Sequence, residues 1–171
     1  MILALAFGNA LFANQQEKVE APPFEGNILG MEIMADSLAL VVDVSGSMRP
    51  CLPAIRMALK RQMPRNPTLH VDGCGIEKPR PQAQIENGVA PETVTAIDIL
   101  GRHTTATTIL WITDLADPPN VDGIKSLEQV LRERELQLLL ISVKNGPPPS
   151  LQKVLQAREG YWKVVDAGEL R

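Results

Sequence analysis

Four short, mostly apolar runs constrain this chain more than any other feature: "LALVV" at 38–42, "TTILWIT" at 107–113, "LQLLLISV" at 136–143 and "YWKVV" at 161–165. Each reads as a strand, "LALVV" as one covered on both faces and "LQLLLISV" as a buried one. Between them the apolar spacing changes to three and four. Leu52, Ile55, Leu59 and Met63 share one face of a segment running from Pro50 to Met63, while Arg56, Lys60 and Arg61 point away. Pro53 is tolerated near the start of that helix, and Pro64 and Pro67 end it. Val94, Ile97 and Leu100 define a short helix over 91–100, with Gly101 where a C-cap would fall. Ile124, Leu127, Val130 and Leu131 line a third helix reaching about Glu135, and Leu151, Val154 and Leu155 a fourth. Such alternation is the signature of an α/β fold, a mostly parallel sheet with helices on both faces.

The remaining segments are weaker. "TLHV" at 68–71 reads as a further strand and "DGCG" after it as a bend, whereas 77–91 reads as a loop or poorly formed edge strand. "ILGMEIM" reads as a short strand that turns at Asp36 and Ser37 to pair with the segment beyond the turn. Upstream, "NQQEKVEAPPFEGN" has a linker's polarity and prolines, which divides the chain into an apolar start and linker, 1–27, and one folded domain, 28–171. The start itself, "MILALAFGNALFANQQ", has the length of a signal peptide but not its positive charge. Export and an ordinary apolar tail are both readings of it, with a periplasmic or secreted location expected from the first.

At 171 residues the chain has the length of one domain, able to bury roughly two thirds of its unfolded surface. Seventeen basic and twenty acidic residues leave a net charge of −3, which gives no electrostatic footprint for nucleic acid or an anionic membrane. No apolar stretch reaches the length of about 18 residues that spans a bilayer. Cys51 and Cys74 match no zinc spacing and read as two buried thiols, a bridge being open only to an exported chain. His70 and His103 have no second imidazole at ligand spacing, Trp111 and Trp162 alternate with strand residues and are explained by packing, and Arg132 to Glu135 form a solvated helix face.

The chemistry concentrates where strands end. "LALVVDVSGS" runs from a buried strand into Asp43, Ser45 and Ser47, and "ILWITDLADPP" runs from another into Asp114. Ligands of open α/β sheets bind at the carboxyl ends of strands, and two carboxylates at one edge repel unless a cation lies between them. Hard oxygen donors select Mg²⁺ or Ca²⁺. Two hydroxyls spaced around Gly46 could meet at one ion while Asp43 accepts hydrogen bonds from bound water and from the serines. The bland alternative for "DVSGS" is a helix N-cap and tight turn, and for Asp114 a loop carboxylate; Asp117 reads as a loop residue.

"DVSGS" at 43–47 after an apolar strand resembles the Asp-x-Ser-x-Ser motif of the von Willebrand factor type A domain, and Asp114 fits that family's later aspartate. The stretch from "ILGMEIMADSLALVVDVSGSM" onward is also similar to bacterial members in which a short strand and turn precede the motif. The resemblance covers about Ile28 to Val165. It implies a Rossmann-like, doubly wound fold, a Mg²⁺ or Mn²⁺ ion in a metal-ion-dependent adhesion site, and a protein partner whose carboxylate completes the coordination. One element departs. The family places a threonine, commonly in Gly-Gly-Thr, before the helix that precedes the second aspartate's strand, whereas this chain reads "NGVAPE" with Val89 or Ala90 at the matching position. Thr93, three or four residues further on, would have to supply that ligand from the helix.

Three functions are therefore expected in order. A non-enzymatic module binds a protein partner through a divalent ion held by Ser45, Ser47 and Asp114. Next comes a metal-free scaffold domain whose site has degenerated at the threonine. Last is a metal-assisted phosphohydrolase with Asp43 as nucleophile, which is weakened because Ser45 stands where an acid–base aspartate would be needed. No glycine-rich phosphate loop and no Gly-x-Ser-x-Gly elbow is present.

Overall fold

The computed structural model of the chain describes residues 23–62, 94, 97–98, 101 and 106–170. Expectations for the apolar start, Met63, the strand at 68–71, the loop at 77–91, Leu100, His70, His103, Cys74 and Thr93 fall outside them. In chain order the elements are β1 (Phe24–Ile28), β2 (Met31–Ala35), β3 (Leu38–Val42), α1 (Leu52–Gln62), β4 (Thr108–Thr113), α2 (Val121–Glu133), β5 (Gln137–Val143), α3 (Pro149–Gln156) and β6 (Trp162–Val165). Val94, Ile97, Asp98 and Gly101 are also helical.

Strands β3, β4, β5 and β6 form one four-stranded sheet in that order, and every pairing in it is parallel. The fold is α/β and Rossmann-like, with helices on both faces. Parallel strands need crossovers, and each helix arises because its apolar residues recur at helical spacing and find a sheet face to cover. Even-numbered residues of β3 and β4 (Leu38, Leu40, Val42, Leu110, Ile112) face a cluster with Ile55 and Leu59 of α1. Odd-numbered ones (Ala39, Val41, Ile109, Trp111) face Leu127, Val130 and Leu131 of α2, Leu151, Val154 and Leu155 of α3, and Val94 and Ile97. All five residues of β3 and all six of β4 are buried, as continuous apolar runs require. Fully burying one Leu, Ile or Val contributes about 1.5–3 kcal/mol, so these two clusters supply most of the driving force.

Two sequence expectations need correction. β2 does not pair with β3; it pairs antiparallel with β1, Phe24 opposite Ala35 and Ile28 opposite Met31, as a separate two-stranded sheet. The first strand therefore starts at Phe24, four residues ahead of the expected boundary at Ile28. The turn falls at Leu29 and Gly30, with φ of 50° and 78°, both in the left-handed region that a two-residue hairpin loop demands. Phe24, Ile28, Met31 and Ile33 of the hairpin join the α1 cluster, where they cover part of the sheet face beside that helix.

Gly101 is the second correction. It is helical and has no positive φ, so it is not a left-handed C-cap. A Cβ there would lie 2.9 Å from Val130 Cγ2 and 3.1 Å from Leu136 Cδ1, so glycine is needed for close packing against the end of α2.

Helix α2 starts where the Asn120 side chain accepts the Gly123 N–H at 2.8 Å. It ends as the Leu136 N–H bonds Leu131 C=O and the Glu135 N–H bonds Arg132 C=O, closing the last turn through a left-handed residue. That residue is Glu135, at φ 52°.

Candidate functional site

The parallel register puts Val42 beside Ile112, and the ladder continues one step as the Asp43 N–H donates to Ile112 C=O at 2.8 Å. Asp43 thus follows the end of β3 and Asp114 the end of β4, on neighbouring strands at the carboxyl edge of the sheet. Both are almost fully buried, at 2% and 4% exposure, so their carboxylates depend on donors from the chain or on a ligand.

Asp43 has such donors on both oxygens. Oδ1 accepts the Ser45 N–H at 2.8 Å, which folds the loop back over the strand end. Oδ2 accepts the Thr113 hydroxyl, also at 2.8 Å. Thr113 is wholly buried and its Oγ1 in turn accepts the Leu115 N–H at 3.1 Å, so one threonine links the loops after β3 and β4. Asp114 Oδ1 accepts the Ala116 N–H at 3.1 Å, and Asp114 C=O accepts the Asn145 side-chain amide at 2.9 Å. Asn145 belongs to the loop after β5. Within β5 the buried Ser142, register partner of Thr113, donates its hydroxyl to Asn145 C=O.

Ser45 is half-buried and Ser47 exposed, and their hydroxyl oxygens stand 3.0 Å apart across Gly46. A turn in which the Met48 N–H bonds Ser45 C=O holds them there, anchored by the fully buried Met48 side chain. That separation is an ordinary hydroxyl–hydroxyl hydrogen bond, for which the range is about 2.5–3.0 Å. Neighbouring ligands at about 2.0–2.1 Å from an octahedral Mg²⁺ lie about 2.8–3.0 Å apart, so the same spacing also suits two ligands of one ion. The donor set of hydroxyls and carboxylates is hard and all-oxygen, and it fits Mg²⁺, Mn²⁺ or Ca²⁺ rather than a thiophilic metal. Among the described residues no group of three or more His, Cys, Asp and Glu side chains gathers that could hold a metal, so any ion here depends on the serines.

Asp43, Ser45, Ser47 and Asp114 therefore lie at one edge of the sheet, while Thr93 is outside the described residues. Asp117 is exposed in the loop after Asp114. Cys51 is buried at the foot of α1 and is bonded to no other cysteine among the described residues. Trp111 is fully buried in the α2–α3 cluster, and its indole N–H has no hydrogen-bond partner among the described residues. Thr113, Ser142 and Asn145 belong to the polar network but were not singled out from the sequence. The available signals were a threonine closing an otherwise apolar strand and an Asn-Gly pair following another. No protein-family model matches this chain, and no curated protein matches it.

Proposed function

We propose that this chain is a non-enzymatic binding module of the von Willebrand factor type A class. It holds Mg²⁺, or Mn²⁺ or Ca²⁺ in its place, at the carboxyl edge of the sheet and recognises a carboxylate on a protein partner. Ser45, Ser47 and Asp114 would hold the ion, and Asp43 would orient the serine loop from behind. When bound, the ion would supply positive charge and an open position for the partner's acidic group. The observation that carries the reading is the placement of two buried aspartates at the carboxyl ends of adjacent parallel strands, with two serine hydroxyls on the loop that follows the first of them.

A second reading, a metal-free scaffold domain, draws on a specific feature. Both Asp43 oxygens already accept hydrogen bonds, and Ser45 and Ser47 are within hydrogen-bonding distance of each other, so the loop can stand without an ion. A phosphohydrolase is less well supported, because Ser45 stands where proton transfer would require a carboxyl group.

Thermal unfolding with and without Mg²⁺ separates the first two readings. An ion that binds only the folded chain, at 100 times its Kd, adds about 2.7 kcal/mol. For a domain of this size that raises Tm by roughly 5–10 °C. The rise should disappear in Ser45→Ala and recur with Mn²⁺ in the parent chain. No rise with any divalent ion would leave the scaffold reading.

A further inference from the structure

We propose that Asn145, on the loop after β5, is a positioning residue that sets the affinity of the site by fixing the orientation of Asp114; the inference rests on the reading of Asp114 as a metal ligand.

The starting observation is the peptide joining Asp114 to Leu115. Leu115 has φ 51°, in the left-handed region that branched side chains rarely adopt. Such a conformation persists only where its surroundings hold it. Here both ends of one peptide group are held by side chains. Its C=O, on Asp114, accepts the Asn145 Nδ2–H at 2.9 Å, and its N–H, on Leu115, donates to Thr113 Oγ1 at 3.1 Å. The Leu115 side chain is buried among the α2–α3 cluster, which secures the far side.

The next residue shows why this matters. The Ala116 N–H donates to Asp114 Oδ1 at 3.1 Å, so the loop that turns through Leu115 also holds the carboxylate. Rotation of the Asp114–Leu115 peptide would relieve the left-handed φ and swing its C=O off Asn145 and its N–H off Thr113, freeing the loop that carries the carboxylate. Thr113 and Asn145 oppose the rotation from opposite ends. Thr113 cannot report on this alone, because it also holds Asp43. Among the described residues Asn145 makes its hydrogen bonds to Asp114 and Ser142 and not to Asp43, Ser45 or Ser47, and its loop is held by the Ser142 hydroxyl on its C=O and by the Lys144 N–H bonding Val165 C=O at 2.9 Å. The loop after β5 thereby becomes the third to shape the site, although it supplies no ligand.

The test titrates MgCl₂ into the full chain by calorimetry and follows amide hydrogen exchange of Leu115 without metal. Asn145→Ala should raise the Kd for Mg²⁺ by about tenfold or more, the usual cost of losing a group that orients a ligand. It should also speed Leu115 exchange in the metal-free chain. Asn145→Asp, the same size but with no proton to give the carbonyl, should likewise speed that exchange. Equal Kd and equal exchange in Asn145→Ala would overturn the proposal and leave the metal reading standing. A parent chain that takes up no Mg²⁺ would remove the metal reading and the role of Asn145 toward it, whatever the exchange rates show.

Discussion

Thr113 is the residue on which two loops depend. Its hydroxyl donates to a buried carboxylate and accepts a backbone N–H, so Thr113→Val leaves Asp43 Oδ2 without its donor and the Leu115 N–H without its acceptor. Leaving such groups unpaired costs about 1–3 kcal/mol. Urea unfolding should show that loss for Thr113→Val and recover most of it for Thr113→Ser, which keeps the hydroxyl. Asp43, Ser45 and Ser47 were legible in the sequence because their relation is local, confined to five residues after a strand. Thr113 was not, since its partner Asp43 lies 70 residues away. Asn145 was hidden for the same reason, at 31 residues from Asp114. Only the parallel register brings these groups together.

Among the elements, helix starts and stops divide in the same way. The apolar spacing of α2 and α3 was readable because burial on one face imposes it, and the residues buried on both helices are the ones that spacing selects. The end of α2 fell close to the expected Glu135, but the way in which either helix closes was not legible. Both close on a glutamate in the left-handed region, Glu135 at φ 52° and Glu159 at φ 55°, where glycine is the usual residue. After α3 the Gly160 N–H bonds Leu155 C=O and the Glu159 N–H bonds Gln156 C=O, repeating the closure after α2. Glu135→Gly should stabilise the domain by about 0.5–1 kcal/mol in chemical denaturation, because glycine adopts this conformation without the Cβ penalty. Destabilisation instead would mean that Glu135 makes a compensating contact. Gly101 taught the reverse lesson: a glycine at the expected helix end proved necessary for packing against Val130 and Leu136, a requirement invisible along the chain.

In the whole molecule the hairpin is bound to the sheet from two sides. The Gln62 side-chain amide at the end of α1 donates to Asn27 C=O at 2.8 Å, while Tyr161 and Lys163 of the β6 region donate to Glu32 C=O at 2.6 Å and Gly30 C=O at 2.7 Å. Burial, and secondarily the charge of Glu32, raise the Tyr161 phenol above its ordinary value. A raised phenol makes the folded chain disfavour ionisation, so its stabilising effect is complete below about pH 10, the ordinary tyrosine value, and is lost as the pH climbs beyond it. Tyr161→Phe should lower stability near neutrality by about 0.5–1.5 kcal/mol through the lost hydrogen bond. It should also flatten the decline above pH 10, measured by denaturant unfolding across that range. No described helix is long and apolar enough to cross a membrane. What the sequence determined by itself was the kind and order of the central elements and the cluster of oxygen donors after β3, because burial and turn chemistry act over a few neighbouring residues. Tertiary structure alone decided that β2 turns back onto β1, that Thr113 meets Asp43, and that Asn145 holds the peptide after Asp114. Those contacts depend on strand register and on which surfaces remain uncovered once the helices have packed, and neither is a property of any short stretch of chain.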